Sequence, residues 1–206
     1  FGQVDIDMIA GPSEIGVIAD DSANPVHLAA DLLSQAEHDP RARAIMVTTS
    51  ERLANAVSDE VERQLKLLPR ESIARPAIEN NSYIAVMDSV EDMFTVMNEV
   101  APEHLEIQLP DPMSYMSLVQ NAGSVFLGAY ASEPLGDYVG GTNHVLPTSG
   151  TARFSSPLGV YDFVKRTSFT QFTKERLEEV ATHITTLART EGLEAHARAI
   201  EVRFEK

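Results

Sequence analysis

Through residues 1–130, short apolar runs alternate with longer amphipathic ones, and this alternation limits the fold more than any other feature of the sequence. The runs at 15–19, 43–48, 82–87, 105–109 and 124–127 have the length and composition of buried strands. The segments between them are long enough for crossover helices, which parallel strands need because no tight turn can join them. Helix starts are predicted at Asn24-Pro25, at Ser50, at Asp88 or Ser89, and at Asp111-Pro112. Each offers a side chain able to accept a free backbone N–H, and two carry proline at the first helical position. The class is α/β, a mostly parallel sheet with crossover helices.

Residues 128–156 break the alternation with "GAYASEPLGDYVGGTNHVLPTSGTARFSS", rich in Gly, Pro, Ser, Thr and Asn. A loop of this length in a compact domain usually serves function. Beyond it, 157–165 and 170–189 read as helical, with Phe172, Leu177, Val180, Ile184 and Leu187 forming an apolar stripe. After Gly192, "LEAHARAIEVRF" reads as a short helix with a terminal strand. The organisation expected is an α/β domain over 1–156 and a helical tail over 157–206. The opening "FGQVDIDMIAGPSE", without a leading Met, reads as part of a longer polypeptide.

A net charge of −15 with only 16 Lys and Arg in 206 residues argues against nucleic acid or an anionic membrane as partner. No apolar run is long enough to span a bilayer and no secretory signal pattern opens the chain, so a cytoplasmic location is expected. Cysteine is absent, which removes disulfides, thiolate metal sites and a cysteine nucleophile. Any metal must be held by nitrogen and oxygen.

Gln35 and His38 in "LLSQAEHDP" share one face at the end of the first predicted helix and could converge on one ion or one substrate. A polar helix end that merely faces water has the same residue types. "APEHLEIQL" places Glu103 and His104 immediately before a predicted strand, where an acid and an imidazole can both exchange protons near neutral pH. The long loop adds Asp137 and His144 in glycine-rich backbone. Gln35, His38, Asp137 and one further imidazole would complete a four-ligand set suited to Zn²⁺ or a similar divalent ion.

"GPSE", "DLLSQAEHDP", "APEHLEIQ", "NAGSVFLG", "GDYVGGTNHVLPT" and "LEAHARAI" together resemble the histidinol dehydrogenase family, from one end of the chain to the other. The resemblance implies a zinc- and NAD-dependent homodimeric enzyme that oxidises L-histidinol with two NAD, through the aldehyde, to L-histidine in the last step of histidine biosynthesis. It implies zinc ligation by Gln35, His38, Asp137 and His196, and proton acceptance by Glu103 and His104. Substrate contacts would come from Ser13, Gln35, His38, His104, Asp137, Glu191 and His196, with the tail residues completing the partner's site. It assigns no such role to His144, His27 or His183. Family members carry further sequence before the start of this chain, so the sheet would be an incomplete Rossmann-like domain with the NAD contacts upstream. No G-x-G-x-x-G follows a strand here, and the chain alone is expected to be inactive. Two other readings fit the same residues: a zinc hydrolase using the Glu and His for water attack, and a non-catalytic zinc-binding dimerisation fragment.

Overall fold

The computed structural model describes residues 2–205 and divides into two compact units, Phe1–Phe163 and Val164–Lys206. The first holds five strands, β1 (Glu14–Ala19), β2 (Arg43–Thr48), β3 (Tyr83–Val86), β4 (His104–Gln108) and β5 (Ser124–Leu127), each end within one residue of expectation. They pair in the order β3-β2-β1-β4-β5, all parallel.

Helices α1 (Pro25–Ala36) and α2 (Glu51–Leu65) begin where expected, with the side chains of Asn24 and Ser50 accepting N–H groups of the first turn. A third helix, α3 (Glu71–Asn81), was not foreseen. Arg70 gives it no side-chain cap and Pro76 lies inside it, so its start signal is missing and a breaker stands in its middle. Burial of Ala74 and Ala77 in the core holds it in place. Helix α4 (Val90–Val100) is capped by Ser89. The start expected at Asp111-Pro112 yields only a 3₁₀ segment, Pro112–Leu118, with Asp111 left-handed and not capping.

Two cores sandwich the sheet. Ile15, Val17, Ala44 and Met46 pack with α1, α2 and α3 on one face. Ile18, Ile45, Val47, Leu105 and Ile107 pack with Met93, Phe94 and Met97 of α4 on the other. Because α1 leaves the carboxyl end of β1 and runs back, its last turn returns to the amino edge of the sheet. Residues 128–156 are mostly irregular but contain one helical turn, α5 (Pro134–Tyr138), and a 3₁₀ turn, Thr151–Arg153.

Of the helix expected over 157–165, only a 3₁₀ turn at Val160–Phe163 forms. In the second unit, α6 (Lys174–Thr190) starts at the Thr173 cap, which leaves Phe172 outside the helix. It packs against α7 (Glu194–Glu201) through Thr185, Ala188 and Ala197. Of the expected apolar stripe, Leu177, Val180 and Ile184 lie half-buried in line with Thr185 and Ala188, whereas Phe172 and Leu187 are exposed. After α7 the backbone turns rather than forming the expected strand among the described residues. No helix among the described residues is long and apolar enough to cross a membrane.

Candidate active site

The site is assembled at the amino edge of the sheet, around the first residues of β1 and β4. Glu14 serves it through both halves of its backbone: its N–H donates to Glu103 Oε2 at 3.1 Å, and its carbonyl oxygen lies 3.1 Å from His104 Nδ1. A carbonyl can only accept, so Nδ1 carries the hydrogen and the neutral ring presents a bare Nε2. The Glu14 carboxylate is held by Arg43 at 3.2 Å and the Ser149 N–H at 3.0 Å.

Parallel register continues the pattern inward. His104, Glu106 and Gln108 stand beside Ile15, Val17 and Ala19, so three polar side chains of β4 project toward the α1 side. Glu106 is fully buried, receives the Gln108 amide at 3.1 Å, and accepts the Glu133 N–H at 2.9 Å. Asp31, one turn before Gln35 on α1, accepts the Ser132 hydroxyl at 2.8 Å. Asp31 and Glu106 thus fix the turn that starts α5. Gly136 lets that turn rest on Phe126, since a Cβ there would stand 2.8 Å from the ring. These contacts bring Glu133 and Asp137 to the site.

Donor atoms of His104, Glu133 and Asp137 lie within 4.8 Å of one another. His104 Nε2 is 3.7 Å from Glu133 Oε1, and neither atom has a hydrogen-bond partner. Both ends of the fully buried Gln35 amide are also unpartnered. Four such atoms in one place mark a site shaped for something that supplies their partners, because leaving a buried polar atom unpaired costs about 1–3 kcal/mol. The donor set is nitrogen and oxygen only and rich in carboxylates, which fits a divalent cation.

Burial pushes Glu103 up to about 7, aided by the charges of Glu14, Asp137 and Glu133 and opposed by the Glu14 N–H. Glu133 rises to about 7, through burial first and Asp137 second. Burial and Asp31 push Glu106 up to about 8. His104 is lowered, chiefly by burial, with His38 adding to it and the Glu14 carbonyl and Asp137 opposing. A neutral imidazole with an unpaired lone pair beside a carboxyl that titrates near neutrality is an acid–base pair.

Of the residues singled out in the sequence, Gln35, Glu103, His104 and Asp137 meet here. His38 is exposed just past α1, near enough to His104 to act on it, and Ser13 is half-buried next to Glu14, its carbonyl accepting the Arg43 N–H. Glu191 and His196 lie exposed on the second unit, at the end of α6 and in α7. His144, His27 and His183 are exposed. Sequence reasoning missed Glu14, Asp31, Glu106 and Glu133. Glu106 left a signal, as a charged residue inside an otherwise buried strand.

The fold and this site define a class: a parallel α/β protein with an acid–imidazole pair and a cation-ready ligand cluster on the amino edge of its sheet. The chain belongs to the histidinol dehydrogenase family, whose model matches residues 1–204. It is 70% identical over 205 residues to histidinol dehydrogenase of Lactiplantibacillus plantarum, covering 100% of this chain and 48% of that one. Identity to the Streptococcus mutans histidinol dehydrogenase is 64% over 206 residues, again 100% of this chain and 48% of the relative. The crystal structure of histidinol dehydrogenase from Elizabethkingia anophelis superimposes with a TM-score of 0.87 at 44% identity, covering 97% of this chain and 46% of that chain. The chain thus spans about half the length of the curated relatives it matches.

Proposed function

We propose that this chain supplies the metal-, substrate- and proton-handling part of a histidinol dehydrogenase that oxidises L-histidinol to L-histidine through the aldehyde, with two NAD as hydride acceptors. The observation that carries the reading is the convergence of unpartnered buried atoms of Gln35, His104 and Glu133 beside Glu103 and Asp137. Family membership supports L-histidinol as the substrate. Gln35, His38, Asp137 and His196 would hold one zinc ion, whose charge binds and orients the substrate's imidazole and amino groups. Ser13 and Glu191 would contact the substrate.

His104 Nε2, bare and aimed into the site, takes the hydroxyl proton as the first hydride leaves carbon. Water adds to the aldehyde, for which this half of the protein offers Glu103 as a base and no thiol as an alternative nucleophile, and Glu103 takes a proton from that water. The second hydride then leaves the hydrated carbon and the acid ionises, which balances as alcohol, water and two NAD⁺ giving carboxylate, two NADH and three protons.

Single-turnover kinetics in the full-length protein test the division of labour. His104→Asn should slow both oxidations, and Glu103→Gln should slow aldehyde oxidation by about 10²–10⁴-fold while sparing the alcohol step. Equal losses in both steps for Glu103→Gln would refute the assignment.

A further inference from the structure

Glu133 has no role in the chemistry above, yet it is closely confined. It is 2% exposed, its backbone N–H is tied to Glu106 at 2.9 Å, and the preceding Ser132 hydroxyl is tied to Asp31 at 2.8 Å. Its Oε2 has only a long contact, 3.5 Å, with the Ser34 hydroxyl, and its Oε1 has no partner. Ser34 and Gln35 are adjacent on the last turn of α1, and the Gln35 amide stands near this carboxylate without closing a hydrogen bond. Two buried groups, a carboxylate and an amide, therefore face each other with their bonding capacity unspent.

An amide is an ambiguous ligand. It binds a cation only through oxygen, and a half-turn of the side chain points N–H groups at the ion instead. Something must hold the nitrogen away, and a carboxylate fixed by its own backbone is the acceptor within reach. We propose that Glu133 is a positioning residue for the cation site, accepting the Gln35 amide N–H so that the amide oxygen is presented to the metal. This rests on Gln35 being a ligand, as proposed above. Outer partners of this kind typically change metal affinity by about 10–100-fold.

Zinc dissociation constants of the full-length protein, measured by competition with a chromophoric chelator, provide a test that needs no turnover. Glu133→Asp keeps the charge near the cation but withdraws the carboxylate by one methylene. It should weaken zinc binding about tenfold or more in the parent protein and less than about threefold in a Gln35→Ala background, because an effect transmitted through Gln35 vanishes with it. Glu133→Gln, whose amide oxygen can still accept, should lose less than Glu133→Asp. Equal losses in both backgrounds would overturn the positioning role while leaving Gln35 a ligand. Unchanged zinc affinity in Gln35→Ala alone would overturn the ligand assignment and the positioning role with it. Thermal unfolding of each metal-free variant identifies any loss that reflects misfolding.

Discussion

Gly123 matters at the residue scale because of what its missing Cβ avoids. Built there, a Cβ would lie 2.5 Å from the carbonyl oxygen of Glu103 and 3.2 Å from Pro147. The same carbonyl accepts the Ser124 N–H at 2.9 Å, and the Gly123 N–H donates to Pro102 at 3.0 Å, so the backbone beneath the acid–imidazole pair has no room to retreat. Gly123→Ala should cost about 1–3 kcal/mol of stability, the usual range for overpacking. It should also displace Glu103, slowing aldehyde oxidation at a folded site. Urea unfolding within about 0.5 kcal/mol of the parent would contradict this, being no more than an ordinary surface change produces. At this scale the sequence displays residues with reactive side chains next to each other: Glu103 with His104, and Gln35 three positions before His38. Glu14 and Gly123 act through the backbone or through a missing atom, and neither leaves a mark in residue type. Glu133 is one of 31 acidic residues, and only folding separates it from the others.

Strand β4 shows how an element carries more than its boundaries. Its burial reads correctly from "HLEIQL", but the alternation of His104, Glu106 and Gln108 against Leu105 and Ile107 means that one face is a polar column running into the protein. That column is tolerable because Glu106 and Asp31 form a buried acid pair, both raised chiefly by burial, with Glu106 at about 8. A carboxyl raised in the folded state holds a proton that the unfolded chain has already released, so its stabilising contribution is full below the ordinary carboxylate range and lost as pH rises through the folded value. The metal-free protein should therefore lose stability from about pH 5 to pH 8. Glu106→Gln imitates the protonated acid: its oxygen accepts the Glu133 N–H, its nitrogen donates to Asp31, and the Gln108 amide turns over to present oxygen. Urea midpoints at pH 5, 6, 7 and 8 should fall less steeply in this variant, and an unchanged slope would show that the pair does not hold the proton. The elements the sequence hid have local causes. Helix α3 lacks a cap and contains Pro76, whereas the left-handed Asp111 turns an apparent helix start into a 3₁₀ segment.

The whole molecule departs from the usual placement of sites in open parallel sheets, where ligands sit beyond the carboxyl ends of the strands. Here Glu14, Glu103 and His104 stand at amino ends, and α1 brings Gln35 and His38 to the same edge. The alternation of apolar and amphipathic runs announces the sheet but not which edge is used. The second unit raises the larger question. It carries Glu191 and His196, and it leaves Phe169, Phe172 and Leu187 exposed, apolar surface of the kind that seeks a partner. We propose that the protein is a homodimer in which each tail gives Glu191 and His196 to the other subunit's Gln35, His38, Glu103, His104 and Asp137. Mixed dimers decide it. In full-length protein His104→Asn and His196→Ala should each be inactive. Unfolded together and refolded, they pair at random, and about half the dimers are mixed, each with one intact site and one doubly damaged site. About a quarter of the parent activity should return. If each tail instead serves its own subunit, every site keeps one lesion whatever its partner, and the refolded mixture stays inactive.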